Sequence, residues 1–284
     1  LVIAHPAAIT YGGSGSWYFS EQPNGSSLLL IHFNAINQSF FMGFFFLLAG
    51  YYTPKSFDRK GGTRFLGDRL LRLGIPLLAY FFVISPFTIA LAQLPNGRPF
   101  LELLAERYRV RDFEPGPLWF AEALILFAIV YAVWRRSRPS ALPSATSFPR
   151  VSTLAYIAIA LGLANFVLRL AIPTGETVAW LQLGYFPCYV FLFAAGCAAS
   201  ERQLIERIDA PSARPWLLVS GIALLSLPLV LATRLHAGNF SGGWNLNALY
   251  YAFWDPFVAW GIILGMLWLF RARLSTPDRL TDWM

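Results

Sequence analysis

Apolar stretches about as long as a bilayer is thick recur along this chain, and they leave it few ways to fold. A helix needs about 20 apolar residues at 1.5 Å each to cross the hydrocarbon core. Such runs lie at roughly 36–53, 70–94, 117–134, 151–172, 179–199, 215–234 and 246–270, and an apolar stub occupies 1–10. The chain is 56% hydrophobic and only 13% charged, against about 25% charged for a soluble domain. A soluble surface cannot be built from that composition, whereas lipid accepts it. The fold expected is therefore all-α. It is a polytopic transmembrane helix bundle of about seven complete helices plus a partial first helix, forming a single domain over residues 1–284.

The charged residues sit between the spans. Lys55, Arg59, Lys60, Arg64, Arg69 and Arg72 separate the second span from the third. Arg135, Arg136, Arg138 and Arg150 follow the fourth, Arg202, Arg207 and Arg214 the sixth, and Arg271, Arg273 and Arg279 the eighth. These sixteen of the 22 Lys and Arg residues fall on one side under strict alternation, which predicts that side to be cytoplasmic. The net charge of +7 is thus a membrane signature, and no nucleic-acid partner is expected. The loop 11–35, with Gly12-Gly13-Ser14-Gly15, is placed outside as a flexible turn. The Ser- and Pro-rich stretch 137–150 reads as a cytoplasmic linker, and 101–115 as a short helix on the outer surface. Cys188 and Cys197 lie in one apolar run with no spaced His or Cys around them, so neither a metal nor a cofactor site is expected.

Ionisable groups are costly inside a membrane, so each such residue is a candidate for function. His5, Glu122, Arg169 and Asp255 all fall in the outer half of their spans and suggest a shared polar cavity. A neutral imidazole accepts a hydroxyl proton near neutral pH, which makes His5 the candidate general base. A carboxylate on its other nitrogen would orient it, with Glu122 as first choice and Asp255 as second. Arg169 is equally well read as snorkelling to the outer interface. His32 and His236 are expected in solvent near the outer face. Arg69 and Arg72, three residues apart, share a helix face at the cytoplasmic entry to the third span. Such a pair either holds phosphate groups or anchors the helix to anionic lipid. Trp17, Tyr18, Trp244, Tyr250 and Trp254 either stack on a sugar or form an interfacial aromatic belt.

Taken together, these segments resemble the acyltransferase 3 family of bacterial membrane proteins. His5 follows a hydrophobic run, as the family's first-helix histidine does. Phe44-Phe45-Phe46-Leu47-Leu48-Ala49-Gly50-Tyr51 is similar to its aromatic second-helix motif, which ends in a small residue and Gly. Arg69 and Arg72 before Pro76 resemble its Arg-x-x-Arg motif, and Gly116-Pro117-Leu118-Trp119-Phe120 its Leu-Trp-Phe signature. The resemblance implies a bundle of about ten helices in a bacterial inner membrane. It also implies transfer of an acyl group, usually acetyl, from cytoplasmic acyl-CoA as co-substrate to a hydroxyl of an extracytoplasmic glycan. His5 then becomes the base, and Arg69 and Arg72 the donor contacts. With eight spans, the first partial, the chain is expected to be a fragment truncated at both ends. Pro- and Gly-broken helices with buried charges also mark transporters, so a polytopic transporter is the competing reading.

Overall fold

The computed structural model describes residues 4–12, 27–137, 147–233 and 239–274. Among them the secondary structure is helical. Helix α1 covers Ala4–Gly12 and α2 Leu28–Lys60. Helix α3 runs over Gly62–Ala92, followed by the short α4 at Phe100–Val110. Then come α5 at Trp119–Arg136, α6 at Val151–Ala171 and α7 at Phe186–Arg202. Helices α8 and α9 span Ala210–Thr233 and Leu246–Leu274. Among the described residues, seven helices are long and apolar enough to cross a membrane, as expected of a polytopic bundle.

Several boundaries differ from the sequence expectation, each for a local reason. Helix α2 begins at Leu28, not near 36, because Ser27 caps it and accepts from the Leu30 N–H (3.5 Å). The expected outer loop to residue 35 is thus shortened, while Gly13 to Gly15, Trp17, Tyr18 and His236 lie outside the described residues. At the other end α2 stops at Gly61, whose φ of 74° suits glycine and whose N–H bonds the Phe57 carbonyl (2.8 Å). Helix α7 starts after 179 because Ala179 and Trp180 form a left-handed turn with φ of 48° and 60°. Helix α8 starts five residues early, on Asp209. The Ser212 hydroxyl and N–H donate to the Asp209 carboxylate and hold it below the usual carboxylate range.

Pro76 and Pro86 do not interrupt α3, which is continuous over Gly62–Ala92. A proline ring presses on the carbonyl four residues back and leaves it without an N–H. The helix answers by widening into π turns at Leu70–Gly74 and Tyr80–Ile84. The Phe82 carbonyl, opposite Pro86 in α-helical register, is taken up by the Tyr108 hydroxyl of α4, which donates to it at 2.6 Å. Pro256 in α9 frees the Ala252 carbonyl in the same way, and the Asn165 amide of α6 donates to it (3.4 Å).

Helix α2 is the spine and packs along α7, with α6, α8 and α9 on one side and α5 on the other. Small residues set the closest approaches, as is usual where lipid removes the hydrophobic drive between helices. A Cβ on Gly50 would collide with the Phe193 carbonyl of α7, and one on Gly196 with the Leu47 carbonyl of α2. The Gly that ends the aromatic motif of α2 is therefore a helix-contact residue. Gly50→Ala should destabilise the solubilised protein by about 1–3 kcal/mol through overpacking. Gly67→Ala, where nothing lies within 4 Å of the added methyl, should leave stability unchanged or raised. Equal thermal melts for the two variants would contradict this packing.

Candidate active site

Two polar regions stand at opposite ends of α2. The lower one surrounds Gly61, where the last turn of α2 meets the first turns of α3. A cavity of about 430 Å³ opens there, lined by Lys55, Arg59, Lys60, Arg69 and Arg72 with a single carboxylate, Asp68. Lys60 and Asp68 form an ion pair at 2.5 Å. The Arg69 guanidinium lies over the buried Phe65 ring, 5.4 Å from its centre. Arg69 is half-buried and Arg72 exposed, and both face this cavity. The sequence reading paired Arg69 with Arg72 and missed the three cations of α2. One glycine separates these two basic segments, and that adjacency was the available signal.

This end is also tied together by ion pairs. Arg135 of α5, only 6% exposed, bridges Asp58 of α2 (3.1 Å) and Glu201 of α7 (3.2 Å). The Tyr51 hydroxyl donates to Glu206 at 2.6 Å, and Arg271 donates to the Ile208 carbonyl at 2.6 Å. Most of the basic loops inferred from the sequence thus meet at one end of the bundle.

The upper region is built on the contact of α1 with α2. The Ser27 N–H bonds the Gly12 carbonyl (3.3 Å), so the two helices pack side by side in opposite directions. Gly12 rests on Leu30 so closely that a Cβ would come within 2.7 Å of the leucine's own. His5 lies seven residues before Gly12 and Asn37 seven after Leu30. Seven residues are about two turns, which returns to the same face some 10.5 Å along the axis. His5 and Asn37 therefore oppose one another across this interface. Both are buried at a polar atom that has no hydrogen-bond partner, Nδ1 of His5 and Nδ2 of Asn37. Next to Asn37, Gln38 donates to the Tyr189 hydroxyl of α7 (3.2 Å). Tyr189 in turn stacks on Trp119 and Tyr185, at 6.0 and 6.2 Å between ring centres. His32, expected in solvent, is half-buried on α2.

The four candidate groups of the outer half are not all paired as expected. Phe46 packs against Phe120 and Phe127, at 4.7 and 5.1 Å between centres. Glu122 is therefore level with about Phe46, nine residues or about 14 Å below Asn37. The structure does not bring Glu122 to His5. It brings Arg169 to Asp255 instead, as an ion pair with the two residues only 1% and 3% exposed. The Arg169 Nε also donates to the Gly184 carbonyl (2.9 Å), and its guanidinium lies between the Tyr185 and Tyr251 rings. Arg169 does not snorkel, because a buried carboxylate is within reach. Two of the aromatic candidates are also engaged in the bundle. Trp254 donates to the Ala223 carbonyl (2.7 Å), and Tyr250 shares a hydrogen bond with Ser226 (2.6 Å). Trp244 remains 85% exposed.

Residues 1–280 match the acyltransferase domain of the acyltransferase 3 family. The chain belongs to that family. It is a multi-pass membrane protein and a transferase of acyl groups, which sets the transporter reading aside. No curated protein and no solved structure matches it.

Removing one partner of a buried ion pair leaves the other charge stranded, at a cost of about 3–5 kcal/mol. Asp255→Ala should therefore destabilise the protein strongly. Arg169→Leu combined with Asp255→Leu should recover most of that loss. Thermal unfolding of the single and double variants measures the coupling, and strictly additive losses would rule out the pair as a stabilising tie.

Proposed function

We propose that this acyltransferase moves an acyl group, most simply acetyl, from acyl-CoA bound at the basic end to a hydroxyl at the opposite end of the bundle. The acceptor class proposed is a glycan or another hydroxyl-bearing molecule of the bacterial envelope. The basic end then faces the cytoplasm of an inner membrane, in keeping with the excess of Lys and Arg there. One observation carries the reading. Five cations around a single carboxylate form a cavity suited to a polyanion at one end of α2, and the candidate base, on α1, packs beside the other half of α2. Guanidinium groups bind phosphate oxygens bidentately, while ammonium groups act as point charges.

The donor's phosphates would sit among Lys55, Arg59, Lys60, Arg69 and Arg72. Its arm would run extended between the helices toward His5. From Tyr52 at the cavity to Asn37 is 15 residues of α2, a rise of about 22 Å. That is longer than half the hydrocarbon core, about 15 Å. His5 would take the acceptor's hydroxyl proton as the oxygen attacks the thioester carbonyl. Glu122, half-buried between cavity and base, is proposed as a polar group along the donor's route. Arg169 and Asp255 are proposed to hold α6 to α9 and so keep the upper site in shape.

The test is transfer of label from acetyl-CoA to envelope material in membranes carrying the full protein. His5→Ala should abolish transfer. Arg69→Ala and Arg72→Ala should each raise the KM for acetyl-CoA by about 10- to 100-fold, the loss of one charge-assisted contact. Transfer retained by His5→Ala would remove the base, and an unchanged KM in both arginine variants would remove the phosphate site.

A further inference from the structure

The reaction proposed above needs a hydrogen-bond donor that neither His5 nor the basic cavity supplies. When a hydroxyl adds to a thioester carbonyl, the carbonyl oxygen becomes an oxyanion, and a preorganised N–H directed at it is often the largest electrostatic aid to the step. The donor has to lie near the base and be free of other partners. Arg169 has its Nε and Nη2 committed to Gly184 and Asp255. Its Nη1 has no hydrogen-bond partner, but its charge is already matched by Asp255 in the buried ion pair that ties α6 to α9.

The polar turn of α2 opposite His5 offers another donor. Gln38 is engaged with the Tyr189 hydroxyl, and the Ser39 hydroxyl donates to the Ile36 carbonyl (2.7 Å). Asn37 is 2% exposed, yet its Nδ2 has no partner. Burying an amide N–H without a hydrogen bond is destabilising, and a group kept that way in a native structure calls for an explanation. The α1–α2 register places it across from His5. An N–H donor there is poorly suited to bond the imidazole itself. Donation to Nδ1 would put the proton on Nε2 and leave that nitrogen unable to act as a base.

We propose that Asn37 is the oxyanion donor of this acyltransferase, its Nδ2–H group binding the thioester carbonyl oxygen as that oxygen takes up charge. The assignment rests on the acyl-CoA reading above. As the acceptor oxygen forms its bond to the carbonyl carbon, its proton passes to His5 and the carbonyl π electrons move onto the oxygen facing Asn37. Collapse of the tetrahedral intermediate re-forms the carbonyl and breaks the carbon–sulfur bond. The thiolate leaves with the proton from His5, giving the ester and free CoA.

The test compares wild type, Asn37→Ala and Asn37→Asp in membranes, with labelled acetyl-CoA as probe and the thermal melt of each solubilised protein alongside. Both variants should lower kcat by about 10²- to 10³-fold, the usual cost of losing one oxyanion donor. The KM for acetyl-CoA should stay unchanged, and Asn37→Ala, which removes an unpaired buried group, should melt at or above the wild-type temperature. A retained kcat in Asn37→Ala, with wild type active and His5→Ala inactive, would overturn the oxyanion assignment and leave the acyl-CoA reading standing. A rate loss matched by a lower melting temperature would make Asn37 structural and also overturn it. Wild-type membranes that leave acetyl-CoA intact would overturn both.

Discussion

Inside a bilayer no water is at hand to satisfy a polar group, so every N–H, carbonyl and charge must find its partner within the protein. Much of this bundle follows from that constraint. The prolines of α3 and α9 free backbone carbonyls, and side chains from neighbouring helices take them up: Tyr108 at Phe82 and Asn165 at Ala252. Each substitution of this kind ties two helices together at a defined height. The Arg169–Asp255 pair does the same for α6 and α9 with charges.

Against that background, the polar atoms left without partners stand out. His5 Nδ1 and Asn37 Nδ2 lie across from one another where α1 packs on α2. A free base nitrogen and a free N–H donor placed opposite one another are what a site for a transient oxygen anion requires. The bundle thus separates two tasks along one helix. Charge that holds a polyanion gathers at the end of α2 by Gly61, and the groups suited to acyl transfer sit about 27–35 Å above the Lys55 to Lys60 turn.

Much of this was legible in the sequence. Hydropathy alone marked the spans, because a lipid-facing helix has no alternative to a long apolar run. The alternation of Lys and Arg predicted which loops would share an end, and Arg135, Asp58 and Glu201 do meet there. The motifs around Gly50, Arg69 and Trp119 pointed to the family. Boundaries were less legible. Asn34, Asn37 and Gln38 lower the hydropathy of the first turns of α2, so hydropathy places the start of the span near 36 although these residues are inside the bundle. Hydropathy measures exposure to lipid, and an interior polar turn resembles a loop by that measure.

What the sequence determined by itself was the class of fold, which basic loops share an end and the identity of the charged groups that had to be explained. These depend on composition and on distance along the chain, which the bilayer converts directly into height. Which of those groups meet was decided only by the tertiary structure. Glu122 and His5 looked like partners because both are titratable and both lie in outer halves of their spans. Helix register set Glu122 about 14 Å lower and gave Asp255 to Arg169 instead. Lys55, Arg59 and Lys60 joined Arg69 and Arg72 because a glycine with positive φ folds α3 back beside the end of α2. Asn37 carries no signal as a letter in the chain; the packing of Gly12 on Leu30 is what sets it opposite a histidine.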